Sequence, residues 1–108
     1  MIQKLIEAMN LKITYSEKEY ITINKRRKAR GAFRWNYMDN QGEILLARSA
    51  TDRTKLHEIG HAVNYILGRG GRISEVIGID SEKFADTIAD TLEKLSKGVR
   101  HDGNSLQQ

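Results

Sequence analysis

The chain contains no cysteine and no proline among its 108 residues. Without thiols there is no disulfide scaffold, thiolate zinc knuckle, cysteine nucleophile or iron–sulfur cluster, so any metal must be held by histidine and carboxylate. Aromatic residues are 6% of the chain, beside 39% hydrophobic and 30% charged, the balance of a soluble globular protein with a modest core. Apolar runs never exceed a few residues, and Met1-Ile2-Gln3-Lys4-Leu5-Ile6-Glu7 mixes charged with apolar side chains. Neither a signal peptide nor a membrane span is therefore expected, and the cytoplasm is the default compartment.

The charge that is present is unevenly placed. The formal net charge is +4, and five of the eighteen basic residues fall in Lys25-Arg26-Arg27-Lys28-Ala29-Arg30. Such a run can contact nucleic-acid phosphates or an acidic partner, but is expected here as a solvated hairpin loop. A chain of this length predicts one compact domain, over residues 1–98, with a polar tail over residues 99–108.

Ile2, Leu5, Ile6 and Met9 recur at helical spacing and predict a first helix ending near Asn10. Leu11–Tyr15 and Tyr20–Asn24 read as strands separated by the polar Ser16–Glu19 turn. Gly31–Met38 and Glu43–Arg48 flank Asp39-Asn40-Gln41-Gly42, a turn signal that makes them a hairpin. Ser49 or Thr51 can cap a helix running to about Leu67, stopped by the glycine-rich Gly68–Gly71 loop. A last helix is predicted from Asp80 or Ser81 to Lys97, with Gly98 ending it. The expected fold class is α+β.

One motif carries chemistry. His57-Glu58-Ile59-Gly60-His61 is an HExxH sequence, and two imidazoles four residues apart lie within about 40° of one another around a helix. One cation can bridge them, most naturally zinc, with a third protein ligand and a fourth position left for water. Glu58 is the candidate base for that water and the acid for a leaving amine. Leu56, Val63 and Leu67 fall on one flank of the helical wheel and Ile59 and Ile66 behind, which sets the histidines off the core face. Glu75, Asp80, Glu82, Asp86, Asp90 and Glu93 all lie downstream as possible third ligands. Spacing favours Glu82, on the flank of a stripe formed by Phe84, Ala85, Ile88, Ala89, Leu92 and Leu95. Asp86, one turn on, can accept a hydrogen bond from a ligating histidine's other nitrogen. The plain alternative is that Glu82 serves the helix dipole and Asp86 is a solvated surface acid.

His57-Glu58-Ile59-Gly60-His61 followed by Glu82-Lys83-Phe84-Ala85-Asp86 resembles the gluzincin pattern HExxH plus ExxxD, and the chain's size is similar to that of the minigluzincins. Glu82, Ala85, Asp86, Ala89 and Leu92 also match the spacing of the ImmA/IrrE-type peptidases, and the resemblance spans residues 43 to 96. It implies a zincin-like domain and a zinc-dependent endopeptidase acting on a peptide or protein substrate, with His57, His61 and Glu82 as metal ligands, Glu58 catalytic and Asp86 orienting a ligand. It further implies that Glu43–Arg48 forms the rim strand that pairs with substrate, and that a Tyr or His stabilises the transition state. Tyr15, Tyr20, Tyr37, Tyr65 and His101 are the candidates, unranked by spacing. In the minigluzincins C-terminal segments keep the enzyme latent, so His101 or Asp102 of the tail is expected to reach the metal. The competing reading is a regulatory or nucleic-acid-binding module with a structural or vestigial zinc site, in which Lys25–Arg30 carries function. Phe33, Trp35 and Tyr37 share one strand face and are expected to pack rather than to stack on bases.

Overall fold

In the computed structural model, which describes residues 2–69 and 71–101 and the side chains as far as residue 97, the chain is an α+β fold. Its elements are α1 (Ile2–Ala8), β1 (Lys12–Tyr15), β2 (Ile21–Asn24), β3 (Arg27–Ala29), β4 (Gly31–Asn36), β5 (Gln41–Leu46), α2 (Asp52–Gly68), α3 (Ile73–Ile77) and α4 (Ser81–His101). The strands form a three-stranded sheet in the order β1-β5-β4 and a separate β2-β3 ribbon.

β5 sits in the middle of the larger sheet, parallel to β1 and antiparallel to β4. Its alternate residues Gly42, Ile44 and Leu46 are buried, as one face of a strand covered by helices requires. Ile44 and Leu46 meet Leu56, Ile59 and Ala62 of α2 and Ala89 and Leu92 of α4, with Ile6 and Leu11 closing the same core. No helix among the described residues is long and apolar enough to cross a membrane.

Several expectations are corrected. The basic run is a loop only at its tip: Asn24 Oδ1 accepts the Arg26 amide at 2.9 Å in the Lys25–Arg26 turn, and Arg27–Ala29 returns as β3 against β2. Strand pairing uses only backbone, so alternating cationic side chains are no obstacle where both faces reach water. Gly42 lies within β5 and not in the turn, where Asn40 takes the left-handed conformation at φ 52°. A Cβ on Gly42 would stand 2.9 Å from Leu11 and 3.0 Å from Phe33, so the residue is small for packing. Leu67, expected on the core face, is 60% exposed, while Asn64 is buried.

α2 begins with a reciprocal cap: Thr51 Oγ1 accepts the Thr54 amide at 3.2 Å and Thr54 Oγ1 accepts the Thr51 amide at 3.1 Å. Its end is a left-handed Arg69, and the following stretch folds into the short α3, which the glycine-rich sequence does not announce. Asp80 Oδ2 accepts the amides of Glu82 and Lys83 and so starts α4. Contrary to expectation, α4 continues through Gly98 to His101. Residues 102–108, and with them the expected contact of Asp102, lie outside the described residues, as does the side chain of His101.

Candidate metal centre

The site is made where α2 and α4 cross. A Cβ on Gly60 would lie 2.6 Å from the Ala85 carbonyl oxygen and 2.8 Å from its Cα, so the two backbones touch at this pair. Only glycine permits that approach, and both Gly60 and Ala85 are buried. Glu82 stands one turn before Ala85 on α4, and the close crossing carries it across to the histidines of α2. Arg53, one turn before His57, fastens the same crossing by pairing with Asp90 and donating to the Asp86 carbonyl at 3.3 Å.

Three side chains converge there. Glu82 Oε1 lies 3.0 Å from His57 Nε2 and Oε2 lies 3.0 Å from His61 Nε2, while the two imidazole rings stand edge to face with centroids 4.8 Å apart. One ligand atom from each residue falls within 4.8 Å of the others, and the group could hold a metal ion. Metal–ligand bonds of about 2.0–2.1 Å in a tetrahedral arrangement separate ligand atoms by about 3.3 Å, near the 3.0 Å between each imidazole nitrogen and its own oxygen of Glu82.

The donor chemistry agrees with that spacing. Asp86 Oδ1 lies 2.8 Å from His57 Nδ1, and a carboxylate only accepts, so this nitrogen carries the proton. On a ring protonated at Nδ1 alone, the Nε2 lone pair faces an oxygen of Glu82. Two acceptors face one another at 3.0 Å, an arrangement that asks for a cation, or an extra proton, between them. Burial, the largest influence on His61, lowers its pKa from the ordinary 6.5 and so favours the neutral ring, the form that can bind a metal.

Glu58 is turned differently from its neighbours. It is only 7% exposed, and burial pushes its carboxyl up to about 7. β4 lies directly over it: a Cβ on Gly31 would stand 3.1 Å from Glu58 Cγ and 2.9 Å from Thr54 Cγ2, so a side chain at residue 31 would push the strand from the helix. His57, Glu58, His61 and Glu82 all line a cleft of about 460 Å³.

The cleft's other wall is β4. Gly31, Ala32, Phe33, Arg34 and Trp35 line it consecutively, which presents the strand's edge and not one face alone. β5 is paired on both sides and has no free edge, so Glu43–Arg48 is not the rim strand; that position belongs to β4. Which strand borders the cleft depends on β1 pairing in parallel with β5 across the sequence, a long-range contact that local pattern does not reveal.

Of the five candidates for transition-state stabilisation, Tyr37 and Tyr65 line the cleft, whereas Tyr15 and Tyr20 do not. The hydroxyls of Tyr37 and Tyr65 are 3.2 Å apart, and that hydrogen bond, with burial second, raises the Tyr65 pKa. Tyr65 packs in a tilted arrangement against Trp35, with centroids 5.2 Å apart, and against Phe33 at 6.1 Å. Phe33 and Trp35 pack on α2, as expected of them, and wall the cleft as well, whereas Tyr37, expected to pack with them, lies past the end of β4 and is 79% exposed. Sequence reasoning missed Asn64 and Arg72, and named Arg27 only as one member of the basic run. Asn64 is 1% exposed; its Nδ2 donates to Ser74 Oγ at 3.0 Å and its Oδ1 accepts the Ser74 amide at 2.8 Å, pinning the start of α3. That pin sets Arg72, the residue preceding α3, in the cleft lining.

Comparison of the chain with protein families, curated proteins and solved structures gave no match. The site therefore rests on its own geometry.

Proposed function

We infer that the protein is a zinc-dependent endopeptidase of the gluzincin type, with zinc on His57, His61 and Glu82. The observation that carries this reading is the convergence of two imidazole nitrogens on one carboxylate at 3.0 Å, beside a buried glutamate in a cleft. Zinc held by these residues supplies Lewis acidity, which polarises a carbonyl or a water oxygen. The chain's own residues do the rest.

Asp86 fixes the His57 tautomer and ring orientation. Glu58, next to the ligand pair and with a carboxyl near neutrality, takes a proton from the attacking water and returns it to the leaving amine. The unpaired edge of β4 holds an extended peptide by backbone hydrogen bonds, while Phe33, Trp35 and Tyr65 bound the space for its side chains. Tyr37 and Tyr65 share one hydrogen bond between two hydroxyls, which leaves one O–H free to donate to a developing oxyanion.

The test is Glu58→Ala in the full chain. It is expected to keep zinc and to lose at least about 100-fold in cleavage across a broad peptide set, the usual contribution of a general base. Cleavage at the wild-type rate removes Glu58 from the reaction.

A further inference from the structure

The basic hairpin has no part in the chemistry above, yet it lies against the same cleft. Ile23, Arg27 and Ala29 of the β2-β3 ribbon line the cavity that holds His57, His61 and Glu82. Lys25, Arg26, Arg27, Lys28 and Arg30 are all exposed, and among the described residues none meets a carboxylate within 4.0 Å. Removing these five from the count leaves thirteen basic against fourteen acidic residues, so the whole positive excess of the chain sits on this hairpin. That charge stands beside the cleft that carries the metal-ligand geometry.

A second cation reaches the cleft from a different element. Arg72 is held at the start of α3 by the buried Asn64–Ser74 pair, and its own nearest carboxylate, Glu75, is a loose 3.8 Å away on the surface. Its charge is felt at both His61 and Tyr65. Arg34, by contrast, is engaged: its Nε donates to Glu43 at 2.7 Å, and Asn36 donates to the same carboxylate. Arg27 and Arg72 are thus the guanidiniums left to meet a ligand. The lining carboxylates Glu58 and Glu82 belong to the metal site, so the complementary ligand sets negative charge against the two arginines and neutral backbone against the metal site. An extended polypeptide does this, with side chains placed at will along it. A nucleic-acid strand has a phosphate at every step and sets charge against Glu58 and Glu82 too.

We propose that the substrate is an acidic polypeptide segment, with Asp or Glu side chains flanking the bond to be cut and paired with Arg27 of the basic hairpin and Arg72 at the start of α3. This rests on the peptidase reading and adds the substrate class to it.

Trp35, the only tryptophan, lines the cleft and reports binding by its fluorescence. Zinc-loaded, full-length Glu58→Ala protein is titrated with three ten-residue peptides alike except at two flanking positions, occupied by Glu, Gln or Lys. The Glu peptide is expected to bind about tenfold tighter than the Gln peptide, the gain of two exposed ion pairs, and the Lys peptide weakest. Raised salt narrows the gap. Adding Arg27→Glu with Arg72→Glu reverses the order, whereas Lys4→Glu with Lys94→Glu, an equal loss of charge at distant exposed sites, preserves it. Equal affinity for the three peptides, or an order untouched by the Arg27 and Arg72 reversal, overturns the proposal; so does an oligonucleotide that binds more tightly than the Glu peptide. Wild-type cleavage of neutral peptides without acidic preference sinks the substrate class alone. Absence of zinc uptake sinks the peptidase reading beneath it.

Discussion

Asp86 has one carboxylate oxygen near two partners, His57 Nδ1 at 2.8 Å and Arg53 at 3.6 Å. Its contact with the histidine decides which ring nitrogen is free to bind metal. Asp86→Ala is expected to lower zinc affinity about 10- to 100-fold in a competition titration against a chelator. The fold should survive, because Arg53 retains Asp90. Glu58 gives a second prediction, in the metal-free protein. Its folded-state pKa is raised from 4.5 to about 7, so the native chain holds this proton more tightly than the unfolded chain. Stability attributable to the residue is then greatest below pH 4.5 and is lost as pH rises through about 7. Denaturant titrations of wild type and Glu58→Gln should diverge across that window in favour of the variant, by up to about 3 kcal/mol. Parallel curves would show that burial does not hold the proton. At this scale much of the site was legible, because helical spacing alone puts His57 beside His61 and Glu82 beside Asp86. Arg72 and Asn64 were not. Their roles come from a contact between α2 and the start of α3 that no local period encodes.

Two elements, α2 and α4, make the site by where they cross. Gly60 sits inside the motif as one of its two unspecified residues, and the sequence gives no reason for it; the Ala85 backbone 2.6 Å from its absent Cβ supplies one. Gly60→Ala forces the helices apart, since the obstacle is backbone and cannot rotate away. The expected result is a loss of about 1–3 kcal/mol in a denaturant titration, together with weaker zinc binding as Glu82 retreats. Unchanged zinc affinity would mean that the crossing does not position the ligand. The helices themselves were readable from their caps and stripes, Thr51 and Asp80 at the starts and Phe84 to Leu92 along α4. The end of α4 was not, because a single glycine lowers helix stability by only about 1 kcal/mol and Gly98 leaves the helix running. The hairpin of β4 and β5 was also readable, but its place in the sheet was not. β1, thirty-one residues earlier in register, takes the outer edge of β5 in parallel, Lys12 beside Glu43, and so leaves β4 as the edge at the cleft.

Across the described residues, a small core of nine buried residues supports a cleft lined by two histidines, two glutamates and an aromatic wall, with the chain's net positive charge on the basic hairpin at one side. The absence of cysteine had already confined any metal to His and carboxylate, and the fold brings together the set that restriction allows. Everything proposed for activity depends on that metal. The most direct measurement is the metal content of protein purified without added metal or chelator, by elemental analysis, for wild type and for His57→Ala with His61→Ala. The account predicts one zinc per wild-type chain and none in the double variant. No zinc in the wild type, or equal zinc in both, would contradict it.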